Sequence, residues 1–306
     1  MKKPNQVFIL GAPRSGTTFL ASLLSLTSYG APFETQFIPK YFKKFDVFGD
    51  INNFTNFSKI LDAIMSERAV MQWKLDINKQ EFFDSFNGNV NYADLVNKLC
   101  AMNGRMPEGK WGEKTPWYLL ELPMIVELFP KAKFIYIIRD GRDVALSLLE
   151  KDWGPNNIYT CAEYWKRLNA QTKEFDMLEN NGQLIRLRYE DLLNNPEEYV
   201  FKIYKFLDEP LNNEALEPLI KRTKGDNFNK WKSKMTTKQI ALFESVAGET
   251  LKRFGYETNN VENSISSFKE CLYRIHDKLV WLRFMFKTNV VDGIRIKFFG
   301  KEPFAD

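Results

Sequence analysis

The sequence predicts an α/β fold, a three-layer α/β/α arrangement around a central parallel sheet, with a C-terminal helical extension. Three observations predict it. Short apolar runs alternate along the chain with stretches of helical periodicity. The first apolar run leads into a glycine-rich loop and a helix, which is the order found at phosphate-binding loops. The 306 residues, 44% hydrophobic and 27% charged, suffice for a sizeable core.

Three apolar runs are the predicted strands of the sheet, namely Val7–Leu10, Lys133–Ile138 and Leu184–Leu187. Apolar residues at helical spacing predict helices over residues 17–26, 57–71, 92–101, 119–129, 143–149, 159–178 and 199–207. Residues 31–50 are aromatic and loop-like, and the Asn- and Gly-containing stretch between the second and third helices is interpreted as an insertion or lid. The 26 Phe residues predict a Phe-packed core.

A polar break at Asn259–Ser264 separates a predicted domain of residues 1–258 from an extension of residues 259–306. In the extension, Phe, Trp and Leu are mixed with Lys and Arg from Phe268 to Phe299. Such a segment suits a membrane-surface or partner helix, although a C-terminal helix docked on its own domain is the more common arrangement. Peripheral membrane binding or self-association through this segment therefore stays open.

The cysteine, histidine and charge content excludes several classes of protein. Cys100, Cys161 and Cys271 are too widely spaced for a disulfide scaffold or a zinc site. His276 is the only histidine, which argues against Ser-His-Asp catalysis and a His-rich metal site. A net charge of +4 does not indicate nucleic acid but suits an anionic ligand. Because no apolar signal segment or bilayer-length run is present, we expect a soluble, cytoplasmic protein.

The loop after the first strand has the composition of a phosphate site. Gly11 and Gly16 show the Gly-x4-Gly spacing of a phosphate loop (P-loop), and Ser15, Thr17 and Thr18 add hydroxyl donors. Thr17 stands where a nucleotide triphosphatase carries its lysine. The positive charge lies instead two residues before the second glycine, at Arg14.

A second anion site is predicted where the strand Lys133–Ile138 ends. Arg139 follows that strand directly, and Arg142 and Ser147 follow on the next turn and helix. Arginine at the carboxyl end of a strand can give paired donors to a phosphate. No metal-binding carboxylate accompanies either site, so we expect a ligand with two separate phosphate groups and no metal.

These two motifs together resemble the sulfotransferases that use 3′-phosphoadenosine-5′-phosphosulfate (PAPS). The matching segments are "APRSGTTF" and "FIYIIRDGRDVALS", and the resemblance extends over roughly residues 6–256. It implies that the first loop holds the 5′-phosphosulfate, with Thr17 and Thr18 as donors. It also implies that Arg139 and Ser147 hold the 3′-phosphate.

Further segments extend the resemblance to Golgi-type, tyrosylprotein-type and related bacterial members. "GEKTP" implies an active-site lysine at Lys114, and "FETQFIP" implies a catalytic base at Glu34. "RYEDL" implies that Tyr189 faces the adenine, and "TKGDNFNKWK" loosely resembles a loop over the 3′-phosphate. The resemblance assigns catalysis to Glu34, Lys114 and Arg14, and cofactor binding to Arg14, Ser15, Gly16, Thr17, Thr18, Phe19, Arg139, Ser147, Tyr189, Lys224 and Gly225.

The late loop and the residue after the two threonines depart from the family pattern. Thr223 stands where the family has an arginine before Lys-Gly, and the Trp-Lys pair is spaced one residue too far. Cytosolic members carry a Trp at the position of Phe19 and use a histidine base, for which this chain offers no candidate.

The predicted reaction is transfer of a sulfuryl group from PAPS to an acceptor hydroxyl, leaving PAP. Glu34 would accept the proton, with Asp46, Asp50 and Glu113 as rivals, while Arg14, Lys114 and the loop N–H groups would stabilise the developing charge. A phosphate-loop kinase and a non-catalytic PAP-binding scaffold are the alternatives. The acceptor, a glycan, lipid, phenol or peptidyl tyrosine, is not specified by the sequence, and no nucleic-acid partner is expected.

Overall fold

The computed structural model describes residues 6–106, 109–223, 227–259 and 265–287. Its contacts divide the chain into two compact units. The first comprises residues 6–11, 16–137 and 171–223. The second comprises residues 12–15, 138–170, 227–259 and 265–287.

A four-stranded parallel sheet organises the first unit, as the sequence predicts. Its strands are β1 (Gln6–Leu10), β2 (Trp111–Glu113), β3 (Lys133–Ile138) and β4 (Leu184–Arg188), in the order β2-β1-β3-β4. The centre of β1 is fixed on both sides, because Phe8 is in register with Glu113 of β2 and with Phe134 of β3. The strand β2 is absent from the prediction because its three residues, Trp-Gly-Glu, carry no apolar run.

Helices make up most of the remaining structure in both units. The first eight are α1 (Thr17–Leu24), α2 (Ile38–Phe42), α3 (Phe54–Met65), α4 (Arg68–Met71), α5 (Lys79–Asp84), α6 (Tyr92–Gly104), α7 (Leu122–Leu128) and α8 (Gly141–Leu148). The rest are α9 (Ile158–Leu168), α10 (Thr172–Asn180), α11 (Tyr189–Asn194), α12 (Pro196–Leu207), α13 (Asn213–Thr223), α14 (Trp231–Lys234), α15 (Thr237–Arg253) and α16 (Ser267–Phe286).

Two helices that were predicted as continuous are each divided in the structure. The helix predicted over 57–71 is split into α3 and α4 because Glu67 adopts an extended backbone (ψ 134°). The helix predicted over 119–129 becomes a 3₁₀ segment, Pro116–Glu121, followed by α7. Pro123 lies in the first turn of α7, where the missing N–H costs no helical hydrogen bond.

The prediction of a single helix over residues 159–178 is wrong. That segment is divided into α9 and α10, and the break begins at the buried Asn169. The Asn169 side chain donates to the Trp165 carbonyl at 2.6 Å, which occupies an acceptor at the end of α9. A short polar side chain that bonds to its own helix favours termination, and periodicity alone does not reveal such a bond.

Aromatic rings fill the core of the first unit around β1. The Phe8 ring lies 5.5 Å from Trp111, 5.5 Å from Phe134 and 5.7 Å from Phe129, measured between centroids. Such pairs add to the burial of apolar area that stabilises the fold. The predicted Phe-rich core is confirmed here.

The second unit packs α8, α9 and α15 together. Gly141 opens α8 where a Cβ would lie 2.6 Å from the Trp165 ring and 2.7 Å from Phe243, so only glycine fits without displacement. The Trp165 indole N–H donates to the Arg139 carbonyl at 3.2 Å, which anchors the residue that follows β3. Among the described helices, none carries an apolar stretch long enough to cross a lipid bilayer.

Candidate active site

The loop between β1 and α1 contains a glycine, Gly16, at a position where a side chain would not fit. Gly16 precedes α1 with φ 96°, and a Cβ placed on it would lie 2.6 Å from Cδ2 of Tyr189. Arg14 also has positive φ, 72°, which is uncommon for a residue with a side chain. The turn is closed by a hydrogen bond from Ser15 N–H to the Ala12 carbonyl, 3.1 Å long. The conformation is therefore a compact nest followed directly by a helix start.

This loop carries donors without intramolecular acceptors. The first N–H groups of α1 have no acceptor within the helix, and no side chain caps it. Among the described residues, the buried Ser15 Oγ has no hydrogen-bond partner. Leaving a buried hydroxyl unsatisfied costs about 1–3 kcal/mol. A phosphate oxygen at this loop would satisfy it, so the residues present fit an anionic group.

Around these donors, the predicted loop residues differ in exposure. Thr18 is exposed, Thr17 is buried and Phe19 is half-buried. Tyr189 begins α11, and its ring packs against Gly16, which leaves 8% of the residue exposed. The structure therefore brings Tyr189 to the loop, and its predicted contact with adenine stays a prediction.

Glu34 and Lys114 form an ion pair in the first unit. Residue Phe33 extends the sheet beside β2, since its N–H donates to the Gly112 carbonyl at 3.2 Å and the Lys114 N–H donates to its carbonyl at 3.0 Å. The two following side chains then meet, with Lys114 Nζ 2.6 Å from Glu34 Oε1. Glu34 remains 37% exposed and Lys114 21% exposed, so both are open to a ligand.

Glu113, a rival base, is instead a buried structural carboxylate. It accepts hydrogen bonds from the N–H of Thr35 at 3.1 Å and the N–H of Thr115 at 2.8 Å, and from both hydroxyls. Burial outweighs these bonds and raises the pKa of Glu113 to about 7. With no exposed area it cannot reach an acceptor, and its bonds hold the neighbours of Glu34 and Lys114.

The other two rivals lie farther along the loop after α2. Asp46 belongs to a 3₁₀ segment, Phe45–Phe48. Asp50 accepts from the N–H of Asn52 at 2.9 Å, and this bond lowers the pKa of Asp50. Neither has a described ion pair with a lysine comparable to that of Glu34.

The second unit contains a small cationic cavity of about 180 Å³. Arg14 Nε donates to Ser147 Oγ at 2.8 Å, and Arg139 donates to the carbonyls of Arg14 at 3.0 Å and Asn227 at 2.6 Å. The predicted pairing of Arg139 and Ser147 in one site is therefore present, with Arg14 added to it. The lining consists of Arg14, Arg139, Asp143, Leu146, Ser147, Glu150, Asn227, Lys230 and Lys234.

Arg142, which follows Arg139 in the same sequence motif, does not line this cavity. Its guanidinium is 1% exposed and pairs with Asp140 and Glu244, both at 2.7 Å. Trp231 covers it, with the ring centroid 3.5 Å from Arg142 Cζ. The backbone N–H of Trp231 donates to Asp143, whose pKa is raised by burial. The predicted Trp-Lys motif thus stabilises the second unit.

Two lysines of the cavity are absent from the predicted site. Lys230 and Lys234 are exposed at the start and end of α14, and four-residue spacing places them on one face of the chain. That spacing in "KWKSK" is the signal that would have identified them. Lys224 and Gly225, predicted to contact the 3′-phosphate, lie outside the described residues.

Sequence comparison places most of the chain in a known family. Residues 4–213 match the family described as "Sulfotransferase family". The chain is similar to "Protein-tyrosine sulfotransferase 1" of Danio rerio, 26% identical over 232 residues, which cover 73% of this chain and 59% of that protein. It is 30% identical over 201 residues to a "Putative protein-tyrosine sulfotransferase" of Caenorhabditis elegans, covering 58% of this chain and 73% of that protein.

The fold has solved counterparts. A sulfotransferase domain from the curacin biosynthetic pathway aligns with a TM-score of 0.51 and 19% identity over 84% of this chain and all of that domain. A sulfotransferase domain from the Synechococcus PCC 7002 olefin synthase aligns with a TM-score of 0.50 and 20% identity, over 81% of this chain and 96% of that domain. The chain spans about three fifths of the Danio rerio relative. With two thirds of its residues matched, the chain belongs to the sulfotransferase family.

Proposed function

We propose that the protein transfers the sulfuryl group of PAPS to an acceptor hydroxyl. The observation that carries the proposal is the exposed ion pair of Glu34 and Lys114. A carboxylate open to a ligand can accept a hydroxyl proton, and a partnered lysine can stabilise developing negative charge. Membership of the sulfotransferase family supports the same reaction.

The 3′-phosphate of PAPS is assigned to the cationic cavity of the second unit. Arg14, Arg139, Lys230 and Lys234 supply four positive charges against the carboxylates of Asp143 and Glu150. Ser147 supplies a hydroxyl that already accepts a bond from Arg14. Charge-assisted bonds of this type bind phosphate more tightly than neutral donors do. The assignment of Arg14 here adds to its predicted role at the reacting sulfate.

The 5′-phosphosulfate is assigned to the loop. Its ligands would be the hydroxyls of Ser15, Thr17 and Thr18 and the N–H groups that begin α1. Ser15 Oγ has no other described partner, which makes it the donor that gains most from a bound oxygen. Gly16 lets the backbone approach closely, and the N-terminal end of α1 favours negative charge.

The chemistry at the acceptor follows from the pair Glu34 and Lys114. The acceptor oxygen forms a bond to sulfur while the bond from sulfur to the bridging phosphate oxygen breaks, and PAP leaves. The Glu34 carboxylate takes the acceptor's proton. The Lys114 ammonium, bound to Glu34 before reaction, stabilises the negative charge on the bridging oxygen.

We propose a phenolic hydroxyl, as in peptidyl tyrosine, as the acceptor to test first. The support is the similarity, 26–30% identical, to proteins named as protein-tyrosine sulfotransferases. Glycan, lipid and small phenol acceptors belong in the same panel, because the matched region alone does not distinguish them.

The test is a turnover assay with sulfur-labelled PAPS and a panel of tyrosine peptides, small phenols, glycans and lipids. We expect label in at least one hydroxyl acceptor, with one PAP formed per transfer. PAP binding without label in any class of acceptor would favour a non-catalytic scaffold. Transfer of phosphate from ATP would favour a kinase and overturn the proposal.

A further inference from the structure

Helix α16 presents an exposed row of apolar side chains. Phe268, Leu272, Ile275, Leu279, Leu282 and Phe286 recur at intervals of four and three residues. At 3.6 residues per turn, this spacing places them on one face of the helix. Between 47% and 73% of each of these residues is exposed. We call these six residues the apolar stripe.

The opposite, more polar side of α16 is the side that docks on the second unit. Tyr273 stacks on Tyr159 of α9 with ring centroids 5.4 Å apart. Asp277 accepts from the N–H of Asn156 at 2.6 Å and from the Thr160 hydroxyl at 3.0 Å. An amphipathic helix usually buries its apolar face against the core. Here specific polar and aromatic contacts fix the helix with that face outward.

A further ion pair fixes the same orientation. The Arg274 guanidinium lies 2.6 Å from Glu163 of α9 and donates to the Tyr159 hydroxyl at 3.1 Å. These contacts lie in the second unit alone, so they do not depend on the proposed catalytic residues. The apolar stripe is therefore held in position before any partner arrives.

The charges beside the apolar stripe are positive. Lys269, Lys278 and Arg283 are exposed next to it. The two carboxylates of α16 turn away from it, since Asp277 is bound to α9 and Glu270 lies in a groove beside α9. A long apolar row whose charged neighbours are cations complements a surface that is apolar inside and anionic outside.

We propose that the apolar stripe of α16 binds the surface of an anionic lipid bilayer. The helix would lie in the plane of the interface, with the stripe among the acyl chains and the three cations at the headgroups.

A second copy of the chain is the competing occupant, because intervals of four and three residues also occur in coiled coils. In a parallel coiled coil, a residue that flanks the apolar row of one helix lies opposite the flanking residue five positions later in the other helix. Lys278 of one copy would therefore face Arg283 of the other. Like charges opposite each other disfavour that pairing. The charges therefore favour anionic lipid over a second copy.

The experiment is co-sedimentation of the full chain with vesicles of phosphatidylcholine, with or without about 30% phosphatidylserine. We expect binding only when phosphatidylserine is present, and a marked loss of binding between 50 mM and 500 mM salt because salt screens the cations. The double variant Ile275→Asp, Leu279→Asp should bind at least about tenfold more weakly, since it places charge in the apolar stripe.

Two further variants make the result specific. Phe201→Asp places the same charge at a residue of α12 that is 52% exposed, and it should bind vesicles like the wild type. Lys278→Glu, Arg283→Glu keeps the stripe and reverses its border, and it should lower binding to phosphatidylserine vesicles about tenfold or more. Circular dichroism confirms that each variant is folded.

Three outcomes would overturn the proposal. They are no binding to phosphatidylserine vesicles, equal binding of both stripe and control variants, and a solution dimer that the stripe variant converts to a monomer without any vesicle binding. The third would assign the stripe to a second copy. Vesicle binding is measured without PAPS, so failure here leaves the proposed sulfotransfer untouched.

Discussion

Glu34 is the residue on which the proposed chemistry depends most directly. Glu34→Gln keeps the size of the side chain but removes its basicity, so we expect kcat to fall about 10²–10⁴-fold with little change in PAP affinity. Steady-state kinetics and PAP titration measure the two effects. Asp176→Asn is the matched control, since Asp176 is an exposed carboxylate paired at 2.7 Å with Arg186, and it should leave kcat unchanged. Equal kcat for wild type and Glu34→Gln would remove Glu34 from catalysis.

A substitution of Arg139 tests whether the cationic cavity binds the 3′-phosphate. Arg139→Ala removes a charged donor from a residue that is only 6% exposed. Truncating one partner of a buried charge-assisted pair costs about 2–5 kcal/mol, so PAP affinity should fall roughly 30-fold or more. Isothermal titration measures it. Arg253→Ala, at the exposed end of α15, should keep wild-type affinity, and an unchanged Arg139→Ala would place the 3′-phosphate elsewhere.

Glu113 makes stability depend on pH. Burial raises the pKa of Glu113 from 4.5 to about 7, so between these two pH values the folded chain holds a proton that the unfolded chain releases. The free energy of unfolding should therefore fall as pH rises from about 5 to about 7, by at most about 1.4 kcal/mol per pH unit from this group. Urea unfolding at several pH values measures the slope. Glu113→Gln should flatten it, and an unaltered slope in that variant would contradict the assignment.

Site residues could be predicted from the sequence where a local motif marks them, and not where their contacts are with residues far away in the chain. Arg139 was predictable because it directly follows a buried strand, whereas Ser147 and Glu34 were identified by the resemblance of their segments to the family. The four-residue spacing in "KWKSK" places Lys230 and Lys234 on one face, but only the tertiary fold shows that this face lines the cavity. Arg142 belongs to the same motif as Arg139 but pairs with Glu244, a partner 102 residues away that no local motif reveals.

Among the elements, the loop before α1 gives a specific prediction for the substitution of Gly16. Gly16→Ala puts a Cβ 2.6 Å from the Tyr189 ring at a positive φ of 96°. We expect a loss of about 1–3 kcal/mol in the free energy of unfolding and weaker PAP binding. Gly88→Ala has a similar φ, 73°, with nothing within 4 Å of its Cβ, so it isolates the cost of the backbone conformation. Equal losses for the two variants would mean that Tyr189 does not press on the loop.

The elements that the sequence predicted best are those with the strongest local pattern. The strand β3 has the predicted bounds because "KFIYII" is a continuous apolar run. The strand β2 has three residues and is defined by its pairing with β1, a long-range interaction. The long helix predicted over 159–178 is broken at Asn169, whose side chain bonds to the Trp165 carbonyl of its own helix, and apolar periodicity does not reveal such a bond.

At the scale of the whole molecule, a ligand that binds only the folded state raises the melting temperature, and the gain in the free energy of unfolding grows with the logarithm of the ligand concentration divided by Kd. At a concentration of 100 Kd the gain is about 2.7 kcal/mol, which corresponds to several degrees in a chain of this size. A cavity with four cationic side chains and a loop with an unpartnered buried hydroxyl should reward a ligand with two phosphate groups over one with a single group.

The measurement that tests the central claim most directly is therefore the melting temperature with PAP in the presence of EDTA. We predict that PAP raises it by several degrees, and that adenosine 5′-phosphosulfate, which lacks the 3′-phosphate, raises it much less. Stabilisation by ATP with magnesium, together with no stabilisation by PAP, would contradict the account.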